Sequence, residues 1–149
     1  MKEYKISAIK EGTVIDHITP ESTFKVIEIL SLNKNTEVIS VANNLKSSRL
    51  GEKGIVKIGS KFLEEEEVNK IALIAPNATL NIIKNYKVIE KIKLRIPEKI
   101  EGIVRCFNPN CITNFDKMNT KFNVISNGSI KLVCIYCERS MKKQDITLL

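Results

Sequence analysis

The sequence contains no tryptophan, a single histidine, and no cysteine outside one cluster near its C-terminal end. Aromatic residues make up only 5% of the 149 positions, so platforms for stacking single-stranded nucleic acid are scarce. The sequence also lacks a Gly-rich phosphate loop of the P-loop type and a pair of zinc-binding histidines at helical spacing. No catalytic constellation is present, and we therefore expect a chain that is not an enzyme.

Long apolar runs are missing as well. None approaches the roughly 18–20 residues of a membrane span, and residues 1–5 lack the apolar stretch of a secretory signal. The composition, 43% hydrophobic and 28% charged, is typical of globular proteins. We therefore expect a cytoplasmic protein without a membrane partner, built as one domain or two small ones.

The net charge of +7 raises the question of nucleic-acid binding, but the charge is spread along the chain. Residues 1–97 carry 16 basic and 12 acidic residues, a net of +4, and residues 98–149 carry 8 and 5, a net of +3. Four thiolates around one Zn²⁺ would add −2 and leave the second region near +1. A nucleic-acid partner is not expected, although a zinc-ribbon nucleic-acid-binding protein remains the main alternative.

The four cysteines form two close pairs, Cys106-x4-Cys111 and Cys134-x2-Cys137, separated by 22 residues. Such paired-cysteine loops bring four thiolates to tetrahedral corners, which predicts one structural Zn²⁺. The alternatives are two disulfides, which would need an oxidising compartment, four reduced thiols, and iron in the same sulfur cage. A zinc-dependent enzyme would need an open coordination position, which four cysteines do not leave.

The hydrophobic pattern alternates between strands and helices before residue 97. Strands are expected at residues 4–9, 13–17, 37–42, 54–58, 79–83 and 86–94, and helices at residues 20–32 and 63–75. In the first helix, Phe24, Ile27 and Leu30 or Ser31 are predicted to lie on one face. The order predicts an α+β protein whose N-terminal domain is a ferredoxin-like α/β sandwich with one extra strand.

The charged segment around Pro97 predicts a domain boundary, giving units at residues 1–97 and 98–149. Alternating residues 121–126 and 129–133 flank Asn127-Gly128, the signature of a tight hairpin. Residues 145–148 are expected to form a last strand. The second unit is therefore predicted to be a small antiparallel β domain, zinc-ribbon-like, with metal compensating for its small core.

Three blocks of the sequence resemble the regulatory chain of aspartate carbamoyltransferase. They are AIKEGTVIDHI at residues 8–18, LIAPNATLNIIKNYKV at 73–88, and CFNPNCI at 106–112 followed by CIYCE at 134–138. The blocks occur in order and span nearly the whole chain. On its own, Asp16-His17 would be a weak acid/base candidate, because neighbouring strand residues point to opposite faces.

The resemblance implies a non-catalytic subunit of pyrimidine biosynthesis. Residues 1–97 would bind the effectors CTP and ATP, with UTP a further candidate, and would pair with a second regulatory chain. Residues 98–149 would hold the zinc and dock on the catalytic chain. CTP would inhibit and ATP would activate the assembly.

The resemblance also implies site residues. The nucleotide-binding positions would be Ile9, Asp16, His17, Lys53, Lys57, Asn81, Ile83, Tyr86, Val88 and Lys91. Ile9 and Tyr86 would offer backbone groups to the base, Asp16 would contact the ribose, and His17 would reach a phosphate. Asn108, Asn110 and Glu138 would contact the catalytic chain. Read without the family, the lysines would be ordinary solvated charges on strands.

Two departures from the family pattern bear on effector choice. The segment before the first strand is short, which weakens the expectation of synergy between CTP and UTP. Ser7 and Gly59 occupy positions where a change is expected to alter effector preference.

Overall fold

The structure is a computed structural model that describes residues 9–30, 38–48, 51–127 and 129–149. The chain divides between Arg95 and Ile96 into two compact units. Within the described ranges, no helix combines the length and apolar character needed to cross a membrane. Ser7 and most of the strand predicted at residues 4–9 lie outside the described residues.

The first unit is an antiparallel sheet with two helices. Its elements are β1 Gly12–Ile18, α1 Thr23–Ile29, β2 Ile39–Ser47, β3 Gly51–Gly59, α2 Glu65–Ile74, β4 Thr79–Lys84 and β5 Lys87–Lys93. The strand order is β2-β3-β1-β4-β5, and every neighbouring pair is antiparallel. A β1-α1-β2-β3-α2-β4 chain arranged as 2-3-1-4 is the predicted ferredoxin-like sandwich, and β5 is its extra edge strand.

Alternation along the strands gives the sheet two different faces. Ile15, Val56 and Leu80 lie opposite one another and join a single core with Ile71 of α2 and Val26 of α1. The residues between them in sequence point away from the helices. We call that side the open face.

The first helix differs from its prediction. A 3-10 turn at Pro20–Ser22 precedes α1, and α1 itself runs only over Thr23–Ile29. Thr23 and Val26 are buried, whereas the side chain of Phe24 is 67% exposed. Phe24 therefore does not share a face with the buried Leu30, contrary to the prediction, because the tighter 3-10 turn rotates the following helix relative to a continuous α-helix. Ser31 and Leu32, the predicted helix end, lie outside the described residues.

β2 is longer than predicted, because the polar residues Asn43 and Asn44 form a bulge and do not end the strand. Asn44 has a φ of 60°, and the register with β3 shifts between Ala42 and Leu45. The strand then continues to Ser47. A bulge absorbs polar residues and one positive φ without ending the strand, and hydrophobic alternation alone does not reveal it.

The second unit contains short strands. They are β6 Lys99–Glu101, β7 Val104–Arg105, β8 Lys121–Asn127, β9 Ser129–Cys134, β10 Ser140–Lys142 and β11 Thr147–Leu148. One sheet has the order β10-β9-β8-β6, and β11 pairs with β7. Phe122, Leu132 and Met141 are fully buried. The predicted β8–β9 hairpin is present, although Gly128 of its turn lies outside the described residues, and the predicted last strand begins at Thr147 rather than residue 145.

Replacing Ile71 with Ala should destabilise the first unit by about 2–5 kcal/mol, because a fully buried side chain of the core is removed. Phe24→Ala, a larger truncation on the exposed side of α1, should change stability by less than about 0.5 kcal/mol. Urea unfolding of the metal-loaded chain, followed by far-ultraviolet circular dichroism, measures both. An equal loss in the two variants would contradict the assignment of the core.

Candidate functional site

The four cysteine sulfurs meet in the second unit. The Sγ atoms of Cys106, Cys111, Cys134 and Cys137 all lie within 4.8 Å of one another. Two close sulfur contacts each join one cysteine loop to the other. Cys106 Sγ lies 3.7 Å from Cys137 Sγ, and Cys111 Sγ lies 3.7 Å from Cys134 Sγ. Two separate cysteine loops therefore supply one four-sulfur cluster.

The spacing of the sulfurs fits a tetrahedral metal. A metal–sulfur bond of about 2.3 Å gives a tetrahedral edge of about 3.8 Å, close to the separations found here. A disulfide needs about 2.05 Å, and all four cysteines are free. The cluster is a closed metal-binding site, and the same distances suit zinc and iron.

Hydrogen bonds hold the first cysteine loop in shape. The backbone N–H of Cys111 donates to the carbonyl of Asn108, and that of Asn110 donates to Asn108 Oδ1. Asn114 Nδ2 donates to the carbonyls of Cys106 and Asn108 at 3.1 and 2.7 Å. Thr113 Oγ1 donates to Cys111 Sγ at 3.2 Å. These bonds orient the sulfurs of the first cysteine pair.

The second cysteine loop is closed by a residue of positive φ. Glu138 has a φ of 62°, and its N–H donates to the carbonyl of Cys134. The N–H of Cys134 in turn donates to the carbonyl of Arg139. A positive φ costs a non-glycine residue some strain, so this turn is maintained by the bonds around it.

The protein environment acts differently on the individual thiols. Burial raises the pKa of Cys106 to about 12, although the backbone N–H of Asn108 partly offsets it, and burial likewise raises the pKa of Cys134. Burial also opposes ionisation of Cys137, but hydrogen bonds from the N–H of Arg139, the side chain of Asn108 and the neighbouring thiols together outweigh it and lower its pKa to about 7. A divalent cation would offset the cost of ionising the buried thiols.

The three residues implied as partner contacts lie around this centre but are not equally accessible. Asn110 and Glu138 are exposed, whereas Asn108 is only 7% exposed and its side chain bonds to the cysteine loop. Asn108 therefore supports the metal site. A direct contact with a partner stays a prediction for all three residues. Because Asn108 is buried, its side chain is poorly placed for such a contact.

On the open face of the first unit, one row crosses the sheet. Lys57 of β3 lies opposite Val14 of β1, Val14 opposite Asn81 of β4, and Asn81 opposite Lys91 of β5. Directly opposed residues of antiparallel strands point to the same side. Residues distant in sequence thus come together as a polar row beside the buried Val14.

A second polar group borders this row at the bulge in β1. Lys53 Nζ lies 2.9 Å from Asp16 Oδ1, and the same oxygen accepts the backbone N–H of His17 at 2.6 Å. His17 Nδ1 and Thr79 Oγ1 share a hydrogen bond of 2.9 Å. His17 has a φ of 57°, so the argument that Asp16 and His17 point to opposite faces fails at this irregular position.

The remaining implied residues lie at one end of the same face. Ile83 is buried and lies opposite the exposed Val88. Asn85 and Tyr86 both have positive φ and form the tight turn into β5. The N–H of Tyr86 donates to the carbonyl of Lys10, next to Ile9, so this turn lies beside the start of the chain's described part.

One polar atom on this face has no partner within the described residues. Asn81 Oδ1 is buried and accepts no hydrogen bond. An unpaired buried acceptor costs about 1–3 kcal/mol. Orphaned polar atoms of this kind mark positions where a ligand, ion or water completes the structure.

Sequence reasoning missed several supporting residues. Thr79 is the hydrogen-bond partner of His17, and Lys93 lies opposite Thr79 on the open face. Thr113 and Asn114 brace the metal loop. Lys93 could have been found by alternation, because it follows Lys91 by two residues. The others depend on pairings that the sequence does not reveal.

Comparison with known proteins agrees with this geometry. Residues 4–95 match the family model "aspartate carbamoyltransferase regulatory chain, allosteric domain", and residues 98–147 match the corresponding metal binding domain. The chain belongs to this regulatory-chain family.

Regulatory chains of aspartate carbamoyltransferase from distant organisms align over almost the full length. The one from Pyrococcus horikoshii is 59% identical over 148 residues, covering 98% of this chain and 97% of its own. The one from Thermococcus onnurineus is 54% identical over 147 residues, with 98% and 97% covered. The one from Parabacteroides distasonis is 46% identical over 147 residues, with 99% and 96% covered. As a regulatory chain, this subunit is not the catalytic one.

Removing the hydroxyl that bonds to Cys111 should weaken metal binding. We expect Thr113→Val to lower metal affinity about 10- to 100-fold, because the bond from Thr113 orients and stabilises the thiolate. Competition with a chromophoric chelator measures the affinity. Thr147→Val, at an exposed position of the same unit, should leave it unchanged. Equal affinities in the two variants would remove Thr113 from the metal site.

Proposed function

We propose that the open face of the first unit binds the nucleoside triphosphates CTP and ATP, and that the chain uses this binding to regulate aspartate carbamoyltransferase. The observation that carries the proposal is the gathering of implied site residues on one side of one sheet. Lys57, Asn81 and Lys91 share a row, and Asp16, His17 and Lys53 border it. The helices cover the other side.

The charges of this face suit a triphosphate. Lys57, Lys91 and Lys93 point to the open side, and Lys53 adds a fourth cation beside Asp16. Charge-assisted hydrogen bonds from lysine to phosphate oxygens are stronger than bonds between neutral groups. Asp16, the carboxylate on this side, is suited to accept from ribose hydroxyl groups.

The orphaned oxygen of Asn81 favours a ligand that also carries donors. An amide oxygen accepts, so its missing partner is a donor such as a ribose hydroxyl or an exocyclic amino group. The exposed side chain of Lys91, which lies opposite Asn81, would bind the phosphates of the same ligand. A nucleotide offers both kinds of group, whereas inorganic phosphate near neutral pH offers mainly acceptors.

Base recognition would fall to backbone groups near the Asn85-Tyr86 turn. Ile9 precedes Lys10, whose carbonyl binds the Tyr86 N–H, and Ile83 and Val88 supply apolar surface nearby. Cytosine and adenine differ in the arrangement of their donors and acceptors, so backbone groups can tell them apart. ATP and CTP would compete for this one site, with UTP a further candidate.

The metal unit would serve the assembly by presenting a docking surface. We assign the metal as one structural Zn²⁺, which would stabilise the two cysteine loops and has no open position for substrate. Phe107, Ile112 and Phe115 beside the first pair, and Ile135 and Tyr136 inside the second, are exposed apolar residues. Exposed apolar clusters of this kind fit a protein interface, here with the catalytic chain.

A second regulatory chain would pair with the first unit through an edge of its sheet. β5 is protected by Lys87, Lys91 and Lys93 and by a bulge, whereas residues 39–42 of the other edge strand, β2, carry no charge. Unprotected edges are the ones that pair with another chain. Such a dimer, working in the cytosol, would bridge catalytic chains.

Regulation then follows from differential affinity. A nucleotide that binds one state of the assembly more tightly shifts the population toward that state, by no more than the difference in binding free energy. Couplings of about 1–3 kcal/mol are typical of such systems. CTP and ATP would have opposite effects by preferring opposite states.

Calorimetric titration of the zinc-loaded chain with CTP should show saturable binding near one nucleotide per chain. Lys91→Ala should weaken it about 10- to 100-fold, since a charge-assisted hydrogen bond contributes about 1.5–3 kcal/mol. Lys87→Ala is the matched control, because it removes a charge from the same strand. Lys87 lies opposite Lys84, outside the open-face row, so this variant should bind CTP normally. ATP should displace CTP. Simultaneous saturation by both, or equal losses in the two variants, would contradict a shared site on this face.

Docking should depend on the apolar surface near the metal. Phe115, 72% exposed, should be important, so Phe115→Ser should weaken capture of the catalytic chain without lowering metal content. Ile125→Ser, on an exposed position of β8, is the matched control. Removing the metal with a chelator should abolish docking and leave CTP binding intact. Normal docking by Phe115→Ser, measured by analytical ultracentrifugation with the catalytic chain, would exclude this surface.

A further inference from the structure

Two bulges lie on either side of one dipeptide in β3. In β1, Asp16 and His17 fall at the register shift between Ile15 and Ile18, and Ile18 lies opposite Gly54. In β2, Asn43 and Asn44 fall at a second shift, and Leu45 lies opposite Lys53. Both irregular segments therefore meet β3 at Lys53-Gly54.

The two residues of this dipeptide face opposite sides of the sheet. Lys53 directs its side chain to the open face, where Nζ pairs with Asp16 at 2.9 Å. At Gly54, a side chain would point toward the helices. A Cβ there would lie 1.9 Å from Thr23 Oγ1 and 2.7 Å from Asn43 Oδ1. Helix α1 therefore packs directly on the backbone that carries Lys53.

Hydrogen bonds fasten this contact. Thr23 is fully buried, and its Oγ1 donates to Asn43 Oδ1 at 2.8 Å. Asn43 Nδ2 donates to the carbonyl of Pro20, in the turn before α1, at 3.1 Å. One amide thus ties the β2 bulge to the start of the helix. A partly buried hydrogen-bond network of this kind favours a single arrangement.

We propose that Thr23, Asn43 and Gly54 form a positioning cluster that holds Lys53 for an anionic ligand and couples occupancy of the anion site to helix α1. An anion near Lys53 competes with Asp16 for the ammonium group, because both are negatively charged. A shift of Lys53 that reaches its backbone moves the adjacent Gly54, and the close packing of Thr23 on Gly54 transmits that movement to the helix. This inference rests on the proposed triphosphate site and adds a route from it to the helical layer.

Thermodynamic linkage gives the cluster a measurable signature. If occupancy and helix arrangement are coupled, the ligand changes the opening of α1, and a defect in the cluster changes ligand affinity in return. A purely structural role would alter stability without altering the response of α1 to ligand. The two roles therefore differ in a ligand-dependent readout.

The test compares three chains: the natural one, Thr23→Val, and Thr23→Ser. Valine keeps the shape but removes the hydroxyl, whereas serine restores it. Amide hydrogen exchange in α1 and affinity are measured with CTP and with inorganic tripolyphosphate. We expect both ligands to change exchange in α1 of the natural chain and of Thr23→Ser. In Thr23→Val the exchange response should be lost and affinity should fall at least about 5-fold.

Lys53→Met provides a second variant that leaves the buried cluster intact. It should abolish the α1 response while leaving the unfolding midpoint of the free chain close to that of the natural one. An unchanged response in Thr23→Val or in Lys53→Met would overturn the positioning role while leaving the nucleotide site standing. Binding of tripolyphosphate with an α1 response, but no binding of CTP, would refute the nucleotide function and support the coupled anion site. Binding of neither ligand would refute both.

Discussion

The central position of β1 is the constraint on which the first unit depends. Because β1 pairs with β3 on one side and β4 on the other, it aligns residues from three distant parts of the chain in single rows. Its inward residues, such as Ile15, anchor the core against both helices. Its outward residues, Val14 and Asp16, form the middle of the open face. Core and site are thus two faces of one strand.

The second unit meets a different constraint. Its strands are short, and its core is small, so two cysteine loops at their ends need a cross-link to keep their shape. A metal ion bound by the four sulfurs would supply one, because the distances between the sulfurs suit a tetrahedral metal and exclude disulfides. The exposed apolar residues of the same loops then need not pack into a core, because the metal centre keeps the loops in shape. Placing the open face of the sheet and the four-cysteine cluster in different units lets each be built by local rules.

Much of the architecture of both units could be predicted from the sequence. Alternating strands, two helices and paired cysteines predicted both architectures, because hydrophobic periodicity and ligand spacing are local signals. The bulges at Asp16-His17 and Asn43-Asn44 could not be predicted, because they depend on how β1 and β2 match the length of β3. Phe24 was misassigned for a similar reason: one 3-10 turn rotated the helix. The ion pair between Lys53 and Asp16 depends on those bulges, so it could not be predicted from the sequence either.

The most direct test is a nuclear magnetic resonance titration of the isotope-labelled, zinc-loaded chain with CTP. Binding on the open face predicts that amide resonances of Lys57, Asn81 and Lys91, together with those of His17 and Lys53, shift first and saturate together. Resonances around Cys111 and Cys137 should be far less affected in the isolated chain. Shifts confined to the metal loops, with the open face unchanged, would contradict the account.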